Sequence, residues 1–190
     1  MTFQKGVKFR IYPNKEQQNL INQTLGCCRL IYNKGLAMRN EAYESGNKIG
    51  YAQTSAMLTE LKKCEDFAFL KVVDSIALQQ SLRDLDRGFV NFFQKRAAHP
   101  TFKSKHNRHQ SYRTVNQGNN IRIAGKYIKL PKLGYTKIRQ SMEVGKINNV
   151  TIKCTPAGKC FAVLNVEFEP QPRANNGGCI GIDVGIKDFY

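Results

Sequence analysis

The sequence predicts an α+β fold in which a helical block interrupts a β-domain and the start of another domain follows. Three observations predict it. Near the beginning Val7, Phe9 and Ile11 alternate with Lys8 and Arg10, a period of two. Further on, Leu78, Leu82, Leu85, Phe89 and Phe92 recur at helical spacing. After His99-Pro100 the chain turns basic and breaks into short β-like runs separated by glycine turns.

Taken in order, Gly6 to Ile11 reads as a half-buried strand with one basic face, and Tyr12-Pro13 ends it. Asn14 stands three residues before Gln17, a capping-box pattern, so a helix is predicted to start there. Its apolar stripe is Leu20, Ile21, Leu25, Cys28, Ile31, Tyr32 and Leu36, and it fades near Ser45-Gly46-Asn47. A shorter helix is predicted over Thr54 to Lys63. Asp74 can cap a third, whose Leu78–Phe92 stripe is read as core. Short strands follow at Ile121 to Ile123, Tyr127 to Leu130 and Thr136 to Arg139. Val150 to Cys154 and Cys160 to Phe168 flank a hairpin turn at Thr155 to Lys159. The predicted organisation is a first strand of the β-domain at 1–12, a helical insert at 13–98, the basic remainder of the β-domain at 99–170, a linker at 171–178 and the start of a further domain at 179–190.

Charge is the strongest global signal. Thirty Lys and Arg against 14 Asp and Glu give +16. Residues 99–153 hold 12 basic residues and one acidic one, Glu143, so this stretch alone carries +11. A local excess of this kind favours a polyanion over a membrane surface, because the basic stretch alternates like strands and forms no amphipathic helix. No apolar run is long enough to cross a bilayer. The six cysteines, at 27, 28, 64, 154, 160 and 179, form no CxxC pair and read as reduced core thiols of a cytosolic protein. His99, His106 and His109 have no matching cysteine cluster, so they read as solvated or phosphate-contacting rather than zinc ligands.

The apolar run Cys179 to Ile182 delivers a carboxylate, Asp183, within GIDVG. Taken alone this motif has three readings. It suits the first strand of a nuclease of the ribonuclease-H type, the glycine-rich turn of an actin-like ATPase, or a capped strand end with a solvated Asp. Asp188, five residues on, is not paired with it. One carboxylate does not hold magnesium well, and two-metal phosphodiester chemistry needs several acidic groups from separate elements.

The motif does not stand alone. FRIYPNKEQ (9–17), LGCCRLIYNKGLAMR (25–39), LQQSLRDLDRGFVNFF (78–93), PTFKSK (100–105), IKLPKLGYTKIR (128–139) and GIDVGIKDF (181–189) occur in this order. Together they resemble the TnpB (OrfB) family of insertion-sequence proteins, RNA-guided DNA endonucleases also described as transposases. That resemblance implies a wedge-like β-barrel domain interrupted by a helical, helix-turn-helix-like recognition insert. The first strand of a RuvC, ribonuclease-H-like nuclease domain then follows. It implies a guide RNA and double-stranded target DNA as partners, a monomer in the prokaryotic cytoplasm at the nucleoid, and no membrane.

By the same resemblance Asp183 matches the first catalytic, magnesium-binding carboxylate. The family's later Glu and Asp and its four zinc-ribbon cysteines have no counterpart here, so the resemblance implies an N-terminal portion that does not cleave DNA alone. Positions matching Tyr51, Ser55, Ser75, Ile76 and Gln79 lie in the family near the short motif that flanks the target. A basic residue can occupy the position of Ser75 there. Ser75 and Gln79, four apart, share a helix face, and a Gln can bond an adenine edge bidentately. Candidates for contact with the guide-RNA backbone are Lys8, Arg10, Lys103, Lys105, Arg113, Lys129, Lys132, Lys137 and Arg139, with Tyr112 beside Arg113 offering a base-stacking ring. Two other functions stay open: a stand-alone DNA-binding regulator of transposition, and an inert remnant of a decayed element.

Overall fold

A computed structural model describes residues 3–107 and 110–169. The 171–178 linker, Asp183 and its apolar run, Cys179 and His109 lie outside the described residues. Seven strands form one antiparallel sheet that curls into a half-barrel: β1 (Phe3–Tyr12), β2 (Gln110–Val115), β3 (Arg122–Ala124), β4 (Tyr127–Leu130), β5 (Gly134–Arg139), β6 (Ile147–Cys154) and β7 (Cys160–Phe168). Their spatial order is β2-β6-β7-β1-β5-β4-β3. Three α-helices, α1 (Lys15–Glu44), α2 (Tyr51–Leu61) and α3 (Ser75–Phe93), and a short 3-10 helix, Glu65–Lys71, all fall between β1 and β2.

The first strand is therefore central. It pairs with β7 from Phe3 to Ile11 and with β5 from Arg10 to Tyr12. Alternation sets its faces as predicted: Val7, Phe9 and Ile11 are buried, and Lys8 is exposed. Burying each such apolar side chain stabilises the fold by about 1.5–3 kcal/mol. One continuous core joins these residues to Leu164, Ile152 and Val150 of the sheet and to Ile21, Ile31, Leu78 and Leu82 of the helices.

The predicted capping box is present. The Gln17 amide N–H donates to Asn14 Oδ1 at 2.7 Å, and Asn14 N–H donates to Gln17 Oε1 at 3.1 Å. Gln17 Nε2 also donates to the Leu133 and Tyr135 carbonyls, so the residue that starts α1 also ties it to β5. Helices α1 and α3 approach closely at Gly35, where a Cβ would lie 2.9 Å from Leu82 and 3.1 Å from Leu85. Helix α1 ends where Gly46 takes φ +75°, the left-handed turn a glycine allows.

Several expectations are corrected. Helix α2 begins at Tyr51, three residues before the predicted start, with the Gln53 side chain accepting from Gly50 N–H. The 3-10 helix was not predicted: its one buried anchor, Leu70, carries no periodic pattern. Strand β2 was not predicted either. Its inward positions are Tyr112 and Thr114, and a buried Thr makes no apolar alternation. The cysteines are not uniformly reduced core thiols. Cys27 and Cys28 are buried, but Cys64 is exposed. Cys154 and Cys160 are bonded to each other, because the β6–β7 hairpin places them directly opposite.

Candidate nucleic-acid interface

In an antiparallel sheet, residues directly opposite each other point to the same face. The register therefore assembles an outward face strand by strand. Lys153 of β6 faces Phe161 of β7, Phe161 faces Arg10 of β1, and Arg10 faces Arg139 of β5. One pair along, Tyr12 faces Lys137, Lys137 faces Tyr127 of β4, and Lys129 faces both Tyr135 and Arg122 of β3. The result is a band of cations interleaved with aromatic rings across six strands. Lys8 Nζ lies 4.3 Å from the Phe161 ring centre, and the Arg10 guanidinium lies between Phe161 (5.3 Å) and Tyr12 (5.4 Å). Arg122 donates to the Tyr135 hydroxyl at 3.0 Å, which holds the phenol below its ordinary pKa.

Arg10 and Arg139 are like charges set directly opposite, which costs stability. Arg10 Nε is buried with no hydrogen-bond partner among the described residues. No acidic side chain forms an ion pair with Lys8, Arg10, Lys129, Lys137 or Arg139 among the described residues. Lys132 sits apart from this band, in the β4–β5 turn at φ +64°. Lys105 is exposed in the loop ahead of β2.

A second feature lies where helices α2 and α3 meet β2. Tyr51, Ile76 and Gln79 line one groove of about 720 Å³. The structure thus brings together three of the five residues assigned near the flanking motif. Arg83 lies in the same groove, its guanidinium 4.9 Å over the Tyr51 ring. Gln80, Arg87 and Val90 continue the same face of α3, and Gln117 and Asn149 close the groove from the sheet side. Arg83 and Arg87 follow Gln79 at helical spacing, so the sequence carried a signal for them. Asn149 and Gln117 are near only because the sheet places them so.

Ser55 and Ser75 do not line the groove. Ser55 lies one turn beyond Tyr51, half-buried. Ser75 opens α3, and its hydroxyl accepts a hydrogen bond from Lys62 Nζ at 3.0 Å. A cation therefore stands at Ser75 although residue 75 is not basic. Burial lowers the Lys62 pKa, and the nearby Asp74 carboxylate opposes that shift.

Three candidates are taken up within the fold, Tyr112 by burial and Arg113 and Lys103 by partners. Tyr112 is 7% exposed and faces the core, so it offers no ring for stacking. Burial drives its phenol pKa well up. Arg113, its neighbour, reaches Asp84 of α3 at 2.5 Å. Alternation decides both positions: once Tyr112 points inward, Arg113 must point out toward α3. Lys103 is held by Asn33, which clamps its backbone N–H and carbonyl at 2.8 and 3.0 Å, and its ammonium lies 4.0 Å over the Tyr32 ring. Burial lowers the Lys103 pKa, with the Asp84 carboxylate opposing.

Comparison with known proteins bears on what such a surface serves. A family model described as a helix-turn-helix domain, of the OrfB type, matches residues 1–48. InsQ of Escherichia coli, assigned as an RNA-guided DNA endonuclease, is 37% identical over 182 residues, covering 94% of this chain and 44% of InsQ. A Streptomyces pristinaespiralis protein with the same assignment is 36% identical over 190 residues, covering 97% of this chain and 47% of the relative. The virulence protein VsdF of Salmonella dublin is 35% identical over 115 residues, 54% of this chain and 94% of VsdF.

The chain belongs to the TnpB (OrfB) family. It spans about half the length of the two endonuclease relatives. The stretch matched by the TnpB-family helix-turn-helix model takes in β1 and α1, and α1 meets its helical partners, α2 and α3, beyond it. The carboxylate that TnpB resemblance assigns to magnesium, Asp183, lies outside the described residues. Among the described residues no three His, Cys, Asp or Glu side chains are grouped to hold a metal ion. No described helix is long and apolar enough to cross a membrane.

Proposed function

We propose that this chain is the nucleic-acid-binding region of a transposon-encoded, RNA-guided DNA endonuclease. The outward face of the sheet holds the backbone of a guide RNA, and the α2–α3–β2 groove takes the duplex flanking the target. The observation that carries this reading is the union of Tyr51, Ile76 and Gln79, spread over 29 positions of sequence, in one groove with Arg83 and Arg87. Arg83 and Arg87, which form no ion pair among the described residues, can fix a duplex through its phosphates, and Gln79 beside them can read an adenine edge. Lys62 supplies at Ser75 the positive charge that residue 75 lacks. The opposed Arg10 and Arg139 support an anionic ligand on the sheet, since a phosphate between two guanidinium groups turns their repulsion into attraction.

Asp183 is the one residue of this sequence matched to a catalytic carboxylate of the family, and a single carboxylate does not assemble a magnesium site. The 190-residue polypeptide accordingly binds without cutting. A magnesium-dependent nuclease assay checks this, and cleavage that Asp183→Ala abolishes would refute it.

The test of the duplex reading is Gln79→Ala measured on two duplexes, one with the preferred flanking motif and one scrambled. Loss of affinity on the motif duplex alone, about five- to a hundredfold for one bidentate contact, is expected. Equal loss on both would strip Gln79 of any reading role. A stand-alone regulator of transposition would instead bind its duplex tightly with no RNA present.

A further inference from the structure

The aromatic side chains most open to solvent in the described residues lie together, outside both surfaces described above. Tyr43 is 73% exposed and Phe93 68% exposed. They line a groove of about 670 Å³ between the C-terminal ends of α1 and α3, with Phe92 and His99 behind them and Asn40, Asn47 and Lys48 at the margin. The wall is rigid. The His99 ring stands edge-on to Phe89 and Phe92 at 5.2 and 5.1 Å, and Phe93 packs on both phenylalanines. Exposed aromatic rings at this density are costly to leave in water without a partner.

What covers them is constrained by charge. Arg39, at the base, is already paired with Asp86 at 2.8 Å. Glu44 and Lys48 at the margin offset each other, while Lys95 and Arg96 lie two and three residues past Phe93, in the turn that follows α3. None of Lys48, Lys95 and Arg96 forms an ion pair among the described residues. Lys95 takes φ +58° at the turn that ends α3, a left-handed position where glycine is easier. A second copy of this +16 chain would bring the same cations against themselves. Flat apolar faces bordered by cations and by amides suit a nucleobase with its phosphates.

The groove is also placed beside the proposed duplex site. Arg39 lines one groove and Asp86 the other, so their ion pair is the partition between them. We propose that the Tyr43–Phe93 groove captures an unpaired nucleotide of the DNA strand that leaves the duplex at the α2–α3–β2 groove. The base stacks on Phe93 and Tyr43, and its phosphates lie toward Lys95 and Arg96. The assignment to DNA rests on reading the neighbouring groove as the duplex side.

The test uses the 190-residue chain, a fluorescein-labelled oligodeoxythymidylate, a uridylate of equal length and the motif duplex, followed by anisotropy. Tyr43→Ala and Phe93→Ala, both at exposed positions, are expected to weaken oligodeoxythymidylate binding about tenfold each and to leave blunt-duplex binding unchanged. Lys95→Gly is expected to weaken the same binding while leaving the fold intact. Unchanged oligodeoxythymidylate affinity in both alanine variants overturns the proposal, and so does equal loss on blunt duplex. A larger loss on uridylate than on thymidylate overturns the assignment to DNA. A dimer by sedimentation that Phe93→Ala dissociates overturns the groove as a nucleotide site. If Gln79→Ala shows no motif dependence while the Tyr43 and Phe93 variants still lose thymidylate, the stacking site stands and only the duplex reading falls.

Discussion

Asp74 joins helix α3 to the sheet through Thr114. One carboxylate oxygen caps the helix, accepting from Ile76 N–H at 2.9 Å, and the other accepts from the Thr114 hydroxyl of β2 at 2.5 Å. Both residues are buried, Thr114 at 1% exposure. The pair fixes the start of the helix that carries Gln79, Arg83 and Arg87 over the strand that carries Arg113. Thr114→Val would keep the shape and remove the donor, leaving a buried carboxylate oxygen unpaired at a cost of about 1–3 kcal/mol. Asp74→Ala would lose the cap as well and cost about 3 kcal/mol in total. Urea denaturation measures both, and a Thr114→Val variant as stable as the parent would show that the bond contributes nothing.

The facing arginines of the sheet make opposite predictions for stability and binding. Replacing Arg139 with Gln removes a like-charge pair and should stabilise the fold by about 0.2–1 kcal/mol. The same change should weaken nucleic-acid binding and lower the slope of log affinity against log salt by about 0.7–0.9, the value of one phosphate contact. Thermal melts and a salt titration read the two effects. A salt slope left untouched would mean that Arg139 contacts no phosphate.

Arg113 should behave differently from Arg139. Its partner is Asp84, so Arg113→Ala loosens α3 from β2 by about 1 kcal/mol, within the range of a partly exposed pair after solvent screening. Its effect on the salt slope should be smaller than that of Arg139→Gln. The reverse ranking would mean that Arg113 leaves Asp84 to meet a phosphate.

Cys28 makes stability depend on alkali. Burial, reinforced by Cys27, pushes its thiol pKa up to about 12 from an ordinary 9.0, and the Lys103 ammonium opposes this. The folded state therefore prefers the neutral thiol. That contribution is fully present below pH 9.0 and is lost as pH rises toward about 12. Melting temperature should fall across this window, and more gently in Cys28→Ala.

Alkylation should sort the described cysteines into three classes. Cys64, exposed, reacts in the native protein. Cys154 and Cys160 react only after a reductant is added. Cys27 and Cys28 react only after unfolding, because burial raises both thiol pKa values and hides the sulfur atoms. Peptide mass mapping tells the classes apart, and early labelling of Cys28 would contradict its burial.

Local chemistry made much of this architecture legible. The Asn14–Gln17 box, the Asp74 cap and the Leu78–Phe92 stripe are short-range patterns; the structure holds both caps and buries the stripe as far as Phe89, leaving Phe92 half-buried beside an open groove. The alternation of Val7, Phe9 and Ile11 told which face of β1 is basic. Gln79 was legible as a surface residue of α3; Arg83 and Arg87 stand at the same helical spacing but were not singled out until the groove showed them.

Side-chain type and spacing by themselves determined where helices and most strands form, which faces are apolar, that the second half is basic, and which family pattern the chain carries. Tertiary structure alone decided that β1 lies at the centre of a sheet whose other strands come more than ninety residues later. It also decided that Arg10 faces Arg139, that Cys154 meets Cys160, that Tyr112 turns inward, and that Lys62 reaches Ser75. The reason is physical. Propensity and periodicity act over a few residues and are written in the chain, whereas strand register and helix docking are settled by burying one shared core. That choice fixes which distant polar side chains become neighbours.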